Sequence, residues 1–250
     1  MQPQTELIHL QWGDEAPATA NPPLWRASTI LYQDLAEMEA RERAVQTDAD
    51  VLYYGRKGTP TVFMLQDAIT RLEGGHRSLV FPSGLAACTA ALMATLQAGD
   101  HLLITDSAYG PTRQAAQQLL PRWGVEVTFF APTLSAEGLA ALFRPNTKLV
   151  FLESPGSHTF EVQDIPAIAA VAHAHGARGA VDNTWATPLY CQPLALGADL
   201  VIHAATKYIG GHSDAGIGTV TANRDAWPDL KRYTWGMGLT AGTEEVYAAL

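Results

Sequence analysis

The sequence predicts an α/β domain built on a mostly parallel sheet, and three observations carry that prediction. From about residue 79 onward, short unbroken apolar runs alternate with helical segments. The runs lack the apolar–polar alternation of a half-exposed strand, which is the pattern of strands covered on both faces. Polar and ionisable residues gather directly after these runs and are almost absent inside them.

The elements follow in order. Residues 1–52, with Pro17, Pro22 and Pro23, are mixed and turn-rich and read as an extended N-terminal arm; residues 53–250 form the body. "SLVFPS" is a strand, and "GLAACTAALMATLQAG" is an alanine- and leucine-rich helix closed by a glycine. "HLLITD" is a strand, 111–122 a helix, "EVTFFA" a strand, and 135–143 a helix. "KLVFLE" is a strand followed by the helix "IPAIAAVAHAHG", and "RGAVDN" and "DLVIHAAT" close the series as strands. No internal repeat or low-complexity tract interrupts it.

Composition narrows the function classes. With 250 residues and 47% apolar content, the chain can bury a sizeable core. A formal charge of −9 argues against a nucleic-acid or anionic-membrane partner. The apolar runs are of core-strand length, so no transmembrane helix is expected. The N-terminal stretch lacks the basic start and apolar centre of a signal peptide. Two cysteines, Cys88 and Cys191, make no disulfide framework. The expected location is the cytoplasm.

Ligands of open parallel sheets bind beyond the carboxyl ends of the strands, so the residues found there are the candidates. They are Ser83-Gly84-Leu85; Asp106-Ser107-Ala108-Tyr109; Glu153-Ser154-Pro155; Asp182-Asn183-Thr184; and Thr206-Lys207. Ser83-Gly84-Leu85 opens a helix, where free N–H groups bind an anion and glycine admits a phosphate; an ordinary N-cap is the structural alternative. No G-x-G-x-x-G follows a strand and no P-loop is present, so a single phosphate fits better than a dinucleotide or nucleoside triphosphate. Asp182 caps its strand or pairs with a buried cation, and Tyr109 is a core aromatic or a ring-stacking platform. Lys207 stands between an apolar strand and Gly210-Gly211, a placement that predicts burial and a nucleophilic amine. His173 and His175 face different sides of a helix. His203 and His212 have no ligand partners at zinc spacing, so no metal site is expected. Cys88 reads as core. A phosphate cup, an aromatic platform, a carboxylate and a lysine at neighbouring strand ends are together what pyridoxal 5′-phosphate requires: lysine for a Schiff base, carboxylate for the protonated ring nitrogen.

Five stretches carry a resemblance: "YYGRKGTPT" (53–61), "FPSGLAA" (81–87), "DSAYGPT" (106–112), "VDNTWATP" (181–188) and "ATKYIGGHSD" (205–214). In this order and spacing the chain resembles the Cys/Met-metabolism family of pyridoxal-phosphate enzymes, over residues 22–250. The resemblance implies the aminotransferase-like fold type I, with a mostly parallel seven-stranded sheet between helices. It makes Lys207 the Schiff-base lysine, Asp182 the partner of the ring nitrogen, and Tyr109 the stacking ring. Gly84 and Leu85, with Ser83 beside them and the Thr206 hydroxyl, would hold the phosphate. Tyr54 and Arg56 would complete the cup of a neighbouring subunit in a homotetramer built as a dimer of dimers.

"DNTWA" and "SAYGPTR" are most similar to the cystathionine β-lyase branch, with Pro111 where γ-lyases carry cysteine. That branch implies β-elimination of a small sulfur amino acid, cystathionine, to homocysteine, pyruvate and ammonia. The alternatives are a γ-lyase, γ-synthase or O-acylhomoserine sulfhydrylase of the same family, or a truncated, non-catalytic pyridoxal-phosphate-binding protein. Family members continue past this length into a C-terminal domain that carries an arginine for the substrate carboxylate. "GTEEVYAAL" reads as the interior of a helix, so a fragment of a longer chain is expected.

Overall fold

The computed structural model describes Leu7 and residues 21–250; most of the first twenty residues of the expected arm lie outside the described residues. The described part of the arm is not wholly extended. Helix α1 (Leu35–Val45) forms there, with Asp34 accepting the Glu37 N–H at 2.8 Å. Asp34 and the acidic first turn supply the N-terminal signal. The arm is tied to the body where Trp25 N–H donates to Thr61 Oγ1 at 2.9 Å and Trp227 Nε1–H donates to Asp48 at 2.6 Å.

A short 3₁₀ turn (Gly55–Lys57) leads into α2 (Pro60–Glu73). Pro60 begins this helix, where a missing N–H costs nothing, and Gly74 ends it at φ 65°, a conformation that favours glycine. The remaining elements are β1 (Arg77–Phe81), α3 (Gly84–Thr95), β2 (His101–Thr105), α4 (Gly110–Gln118), a 3₁₀ turn (Leu120–Trp123) and β3 (Glu126–Phe130). Then follow α5 (Ala136–Ala140), β4 (Thr147–Glu153), α6 (Ile165–Ala174), β5 (Arg178–Asp182) and α7 (Thr187–Tyr190). The series closes with β6 (Leu200–His203), β7 (Gly218–Ala222), α8 (Trp227–Gly236) and α9 (Thr243–Ala249).

The seven strands form one sheet in the order β1-β7-β6-β5-β4-β2-β3. Pairing is parallel from β6 to β3, and β7 is antiparallel to both β1 and β6. Six strands therefore point one way and β7 the other. Both faces are covered, as the unbroken runs require. On one face Phe81, Leu92, Phe151 and Leu230 join α3 and α8 to the sheet. On the other, Leu103, Leu139, Val150 and Ile168 pack under α5 and α6, while Leu65, Ile69, Ile217 and Val246 pack under α2 and α9. Each fully buried Leu, Ile or Phe contributes about 1.5–3 kcal/mol relative to exposure.

Candidate cofactor site

Because β1, β2, β4, β5 and β6 run in one direction, their carboxyl ends share one edge of the sheet. Three of the sequence-identified groups lie along it, at a helix start, a strand end and a loop.

The first is the N-terminus of α3. Ser83 is its N-cap, accepting the Ala86 N–H at 3.1 Å. Gly84 and Leu85 are the first helical residues, so their N–H groups have no partner four residues back. A Cβ on Gly84 would lie 2.5 Å from Ala204 Cβ and 2.9 Å from Ala204 Cα. Glycine is required because the start of α3 presses on the chain just after β6.

The second is Asp182, at the end of β5 and only 6% exposed. Its Oδ1 accepts the Thr184 N–H at 3.0 Å and the Thr184 hydroxyl at 2.5 Å. The Cys88 thiol donates to Oδ2 at 3.5 Å. Burial, then the nearby Asp182 charge, pushes that thiol well above its ordinary range, so it stays a neutral donor. Among the described residues no basic side chain pairs with Asp182. A buried carboxylate without a cation calls for a cationic ligand.

The third is the segment after β6. Lys207 follows a turn in which its N–H donates to Ala204 O at 2.9 Å and its carbonyl accepts the Gly211 N–H at 2.9 Å. The burial expected of Lys207 is not observed: its side chain is exposed. Strand β6 ends at His203, so the lysine stands in the loop beyond the covered sheet. Thr206 differs from expectation as well. Its hydroxyl accepts the Ile217 N–H at 2.9 Å and donates to the Ile217 carbonyl at 3.1 Å, clamping the base of the loop. In this arrangement its proton is engaged.

Tyr109 is the N-terminal cap position of α4 and is 45% exposed. Its N–H donates to Glu153 Oε2 at 2.6 Å. Glu153 is the register partner of Asp182 across β4 and β5. Burial, reinforced by the Asp182 charge, pushes its carboxyl up to about 8. The sequence placed Glu153 at a strand end, yet nothing in the sequence showed that it anchors Tyr109. Tyr54 and Arg56 are not brought to this edge by any described contact. Arg56 donates to Trp235 O at 3.2 Å and lies 5.7 Å from the Tyr54 ring centroid.

Two further features escaped sequence reasoning. Behind the site, buried His203 and Glu73 pair through Nε2 and Oε1, and Asn183 Nδ2 donates to Glu73 at 3.3 Å and to Cys191 O at 2.9 Å. Beside it, Phe160, Trp185 and Tyr208 form an exposed aromatic row with ring centroids 5.2 and 5.8 Å apart. Trp185 lies within the stretch "VDNTWATP".

The donor set fits pyridoxal phosphate on the observations above. Two open N–H groups sit over a position too tight for any side chain. A buried carboxylate lacks a cation among the described residues, and a free amine and an exposed phenol stand beyond strand ends on the same edge of the sheet. The comparisons agree. The family described as "Cys/Met metabolism PLP-dependent enzyme" matches residues 4–250. A Rhizobium johnstonii protein is 48% identical over 230 residues, covering 92% of this chain and 56% of that protein. Cystathionine beta-lyase MetC of Escherichia coli is 40% identical over 230 residues, covering 91% and 57%. The crystal structure of metB from Corynebacterium glutamicum superposes with a TM-score of 0.89 at 31% identity, covering 100% of this chain and 62% of that one. The chain thus spans somewhat more than half the length of these relatives. With the family match, the sequence similarity and the structural superposition in agreement, the chain belongs to the Cys/Met metabolism family of pyridoxal-phosphate-dependent enzymes.

Proposed function

We propose that the protein to which this chain belongs is a carbon–sulfur lyase that cleaves cystathionine with water to homocysteine, pyruvate and ammonia. The observation that carries this reading is the buried, cation-free Asp182 facing the same edge as Lys207 and the open N–H groups of Gly84 and Leu85. Similarity to the E. coli β-lyase over nine-tenths of the chain supports the choice of reaction. When bound, pyridoxal phosphate supplies an electron sink for charge developing at the substrate Cα.

The residues divide the remaining work. Gly84 and Leu85 hold the phosphate through their N–H groups and the positive end of the α3 dipole. Asp182 holds the proton on the ring nitrogen. Lys207 anchors the cofactor covalently, and its Nζ, or Tyr109, takes the substrate α-proton; a flexible amine can serve as both anchor and proton carrier. Tyr109 covers the ring. Tyr54 and Arg56 serve a neighbouring subunit's phosphate in a homotetramer. Arg56 suits that task because its planar fork donates two parallel hydrogen bonds. Cytoplasmic location accords with this chemistry, and no described helix is long and apolar enough to cross a membrane.

The test is a product assay on the full-length protein with cystathionine. Pyruvate with homocysteine supports β-cleavage. 2-Oxobutyrate with cysteine moves the assignment to γ-cleavage, and no product from a cofactor-loaded protein leaves a binding role.

A further inference from the structure

Asp182 is held by a residue that the cofactor chemistry does not by itself require. Thr184 makes three hydrogen bonds, and together they bridge two strands. Its N–H and its hydroxyl both donate to Asp182 Oδ1, at 3.0 and 2.5 Å. The same hydroxyl oxygen accepts the Ala204 N–H at 2.8 Å. A hydroxyl has one proton to donate and lone pairs to accept with, so both functions are used at once. A chain of hydrogen bonds therefore runs from the backbone after β6, through Thr184, to the carboxylate at the end of β5. Bonds in such a chain polarise one another, and those to a charged oxygen are the strong ones.

The two ends of this chain matter. Ala204 is the residue against which Gly84 is packed, at the mouth of the phosphate cup. Its carbonyl also accepts the Lys207 N–H at 2.9 Å. One residue thus touches the cup, the lysine turn and, through Thr184, the carboxylate. At the other end, two donors on Oδ1 leave Oδ2, with only the weak Cys88 donor at 3.5 Å, as the oxygen open to a ligand.

We infer that Thr184 is a positioning residue, whose side chain fixes the carboxylate plane of Asp182 and its separation from the phosphate cup and from Lys207. The inference rests on the pyridoxal-phosphate reading of the site and deepens it. Without the hydroxyl, Oδ1 keeps one donor, the carboxylate turns more freely, and the Ala204 N–H is left without an acceptor beside the cup.

The experiment compares Thr184→Val, which keeps the shape and loses the hydroxyl, with Thr184→Ser, which keeps it, in the full-length protein. Pyridoxal phosphate is titrated into each apo-protein, and the visible spectrum of the loaded protein is recorded against pH. Lys207→Ala runs in parallel, and thermal melts of the apo-proteins report folding. The expected result for Thr184→Val is about 10- to 100-fold weaker cofactor binding, the range for one hydrogen bond to a charged group. A displaced spectral pH midpoint should accompany it, and Thr184→Ser should stay close to wild type in both. Wild-type affinity and midpoint in Thr184→Val, with Lys207→Ala losing the visible band, overturn the inference and leave the cofactor reading standing. Equal impairment of Val and Ser variants also overturns it, since the hydroxyl would then not be the cause. A wild-type protein that takes up no cofactor overturns both.

Discussion

Replacing Glu153 with glutamine should make the apo-protein more stable at neutral and alkaline pH. The side chain is half-buried, its Oε2 accepts the Tyr109 N–H at 2.6 Å, and its register partner is the buried carboxylate of Asp182. Burial and that neighbouring charge raise its carboxyl from an ordinary 4.5 to about 8. A folded value above the unfolded one means that the folded chain keeps its proton while the unfolded chain has lost it. The stabilising contribution is therefore complete below about pH 4.5, declines as pH rises, and is gone above about pH 8. Each pH unit between the two values is worth about 1.4 kcal/mol, which gives roughly 4–5 kcal/mol across the window; solvent reaching the partly exposed group reduces this to about 2–4 kcal/mol. Glutamine has no charge to lose at high pH, and its carbonyl can still accept from Tyr109. Urea denaturation at pH 5.5, 7 and 8.5 checks the reasoning through the difference between the two proteins, because the other carboxylates titrate in both. The gap should widen with pH in favour of Glu153→Gln. Parallel pH profiles, or a variant less stable throughout, refute the idea that Glu153 is held protonated by its surroundings.

Lys207→Ala should remove the visible absorption of the loaded protein, and borohydride followed by mass spectrometry should place the reduced cofactor on Lys207; an adduct on Lys57, Lys148 or Lys231 would contradict the site. Gly84→Ala should lower apo-protein stability by about 1–3 kcal/mol, since the new methyl meets backbone at 2.9 Å, and should weaken cofactor binding; a melt unchanged from wild type would show the cup to be looser than described. Asp182→Asn should lower turnover far more than cofactor content, measured as rate per bound cofactor, because an amide cannot hold the ring-nitrogen proton as a carboxylate does. Mixed dimers of Arg56→Ala and Lys207→Ala chains should regain activity that neither variant has alone; heterodimers that form and stay inactive would rule out Arg56 serving across an interface.

The parallel core of the sheet was legible because its central strands are mostly buried and therefore mostly apolar, as in "LLI" of β2 and "LVFL" of β4. β7 was not, because Thr219 and Thr221 interrupt the apolar signal. Both are buried, and Thr221 is satisfied by a 2.8 Å contact with Ser78 on the neighbouring strand, a pairing 143 residues away in sequence. Helix α2 starts at the end of a motif read for its chemistry and was not recognised as a helix, although Pro60 and Gly74 marked both its ends. For the site, residue type and strand-end position singled out Asp182, Gly84, Lys207 and Tyr109 as candidates. They could not show that Lys207 is exposed, or that the Thr206 hydroxyl is spent on Ile217, since both depend on how the loop after β6 closes. The sequence put Thr184 and Glu153 at strand ends and Cys88 in the core, but not what each one does, because that lies in the partners they contact across strands.

The antiparallel β7 also governs when the site can come into being. β1 is among the earliest elements in the chain, yet among the described residues its one neighbour in the sheet is β7. Closing that pair requires a loop of well over a hundred residues, and contacts this distant in sequence form late and slowly. The proposed phosphate-binding turn at Ser83–Leu85 follows the end of β1, and Gly84 packs against Ala204. During synthesis, therefore, the first strand waits, with no sheet edge to join, until residue 222 has emerged. A nascent chain stalled before β7 should not retain the cofactor, and uptake should mark the moment at which the outermost strand is locked in place.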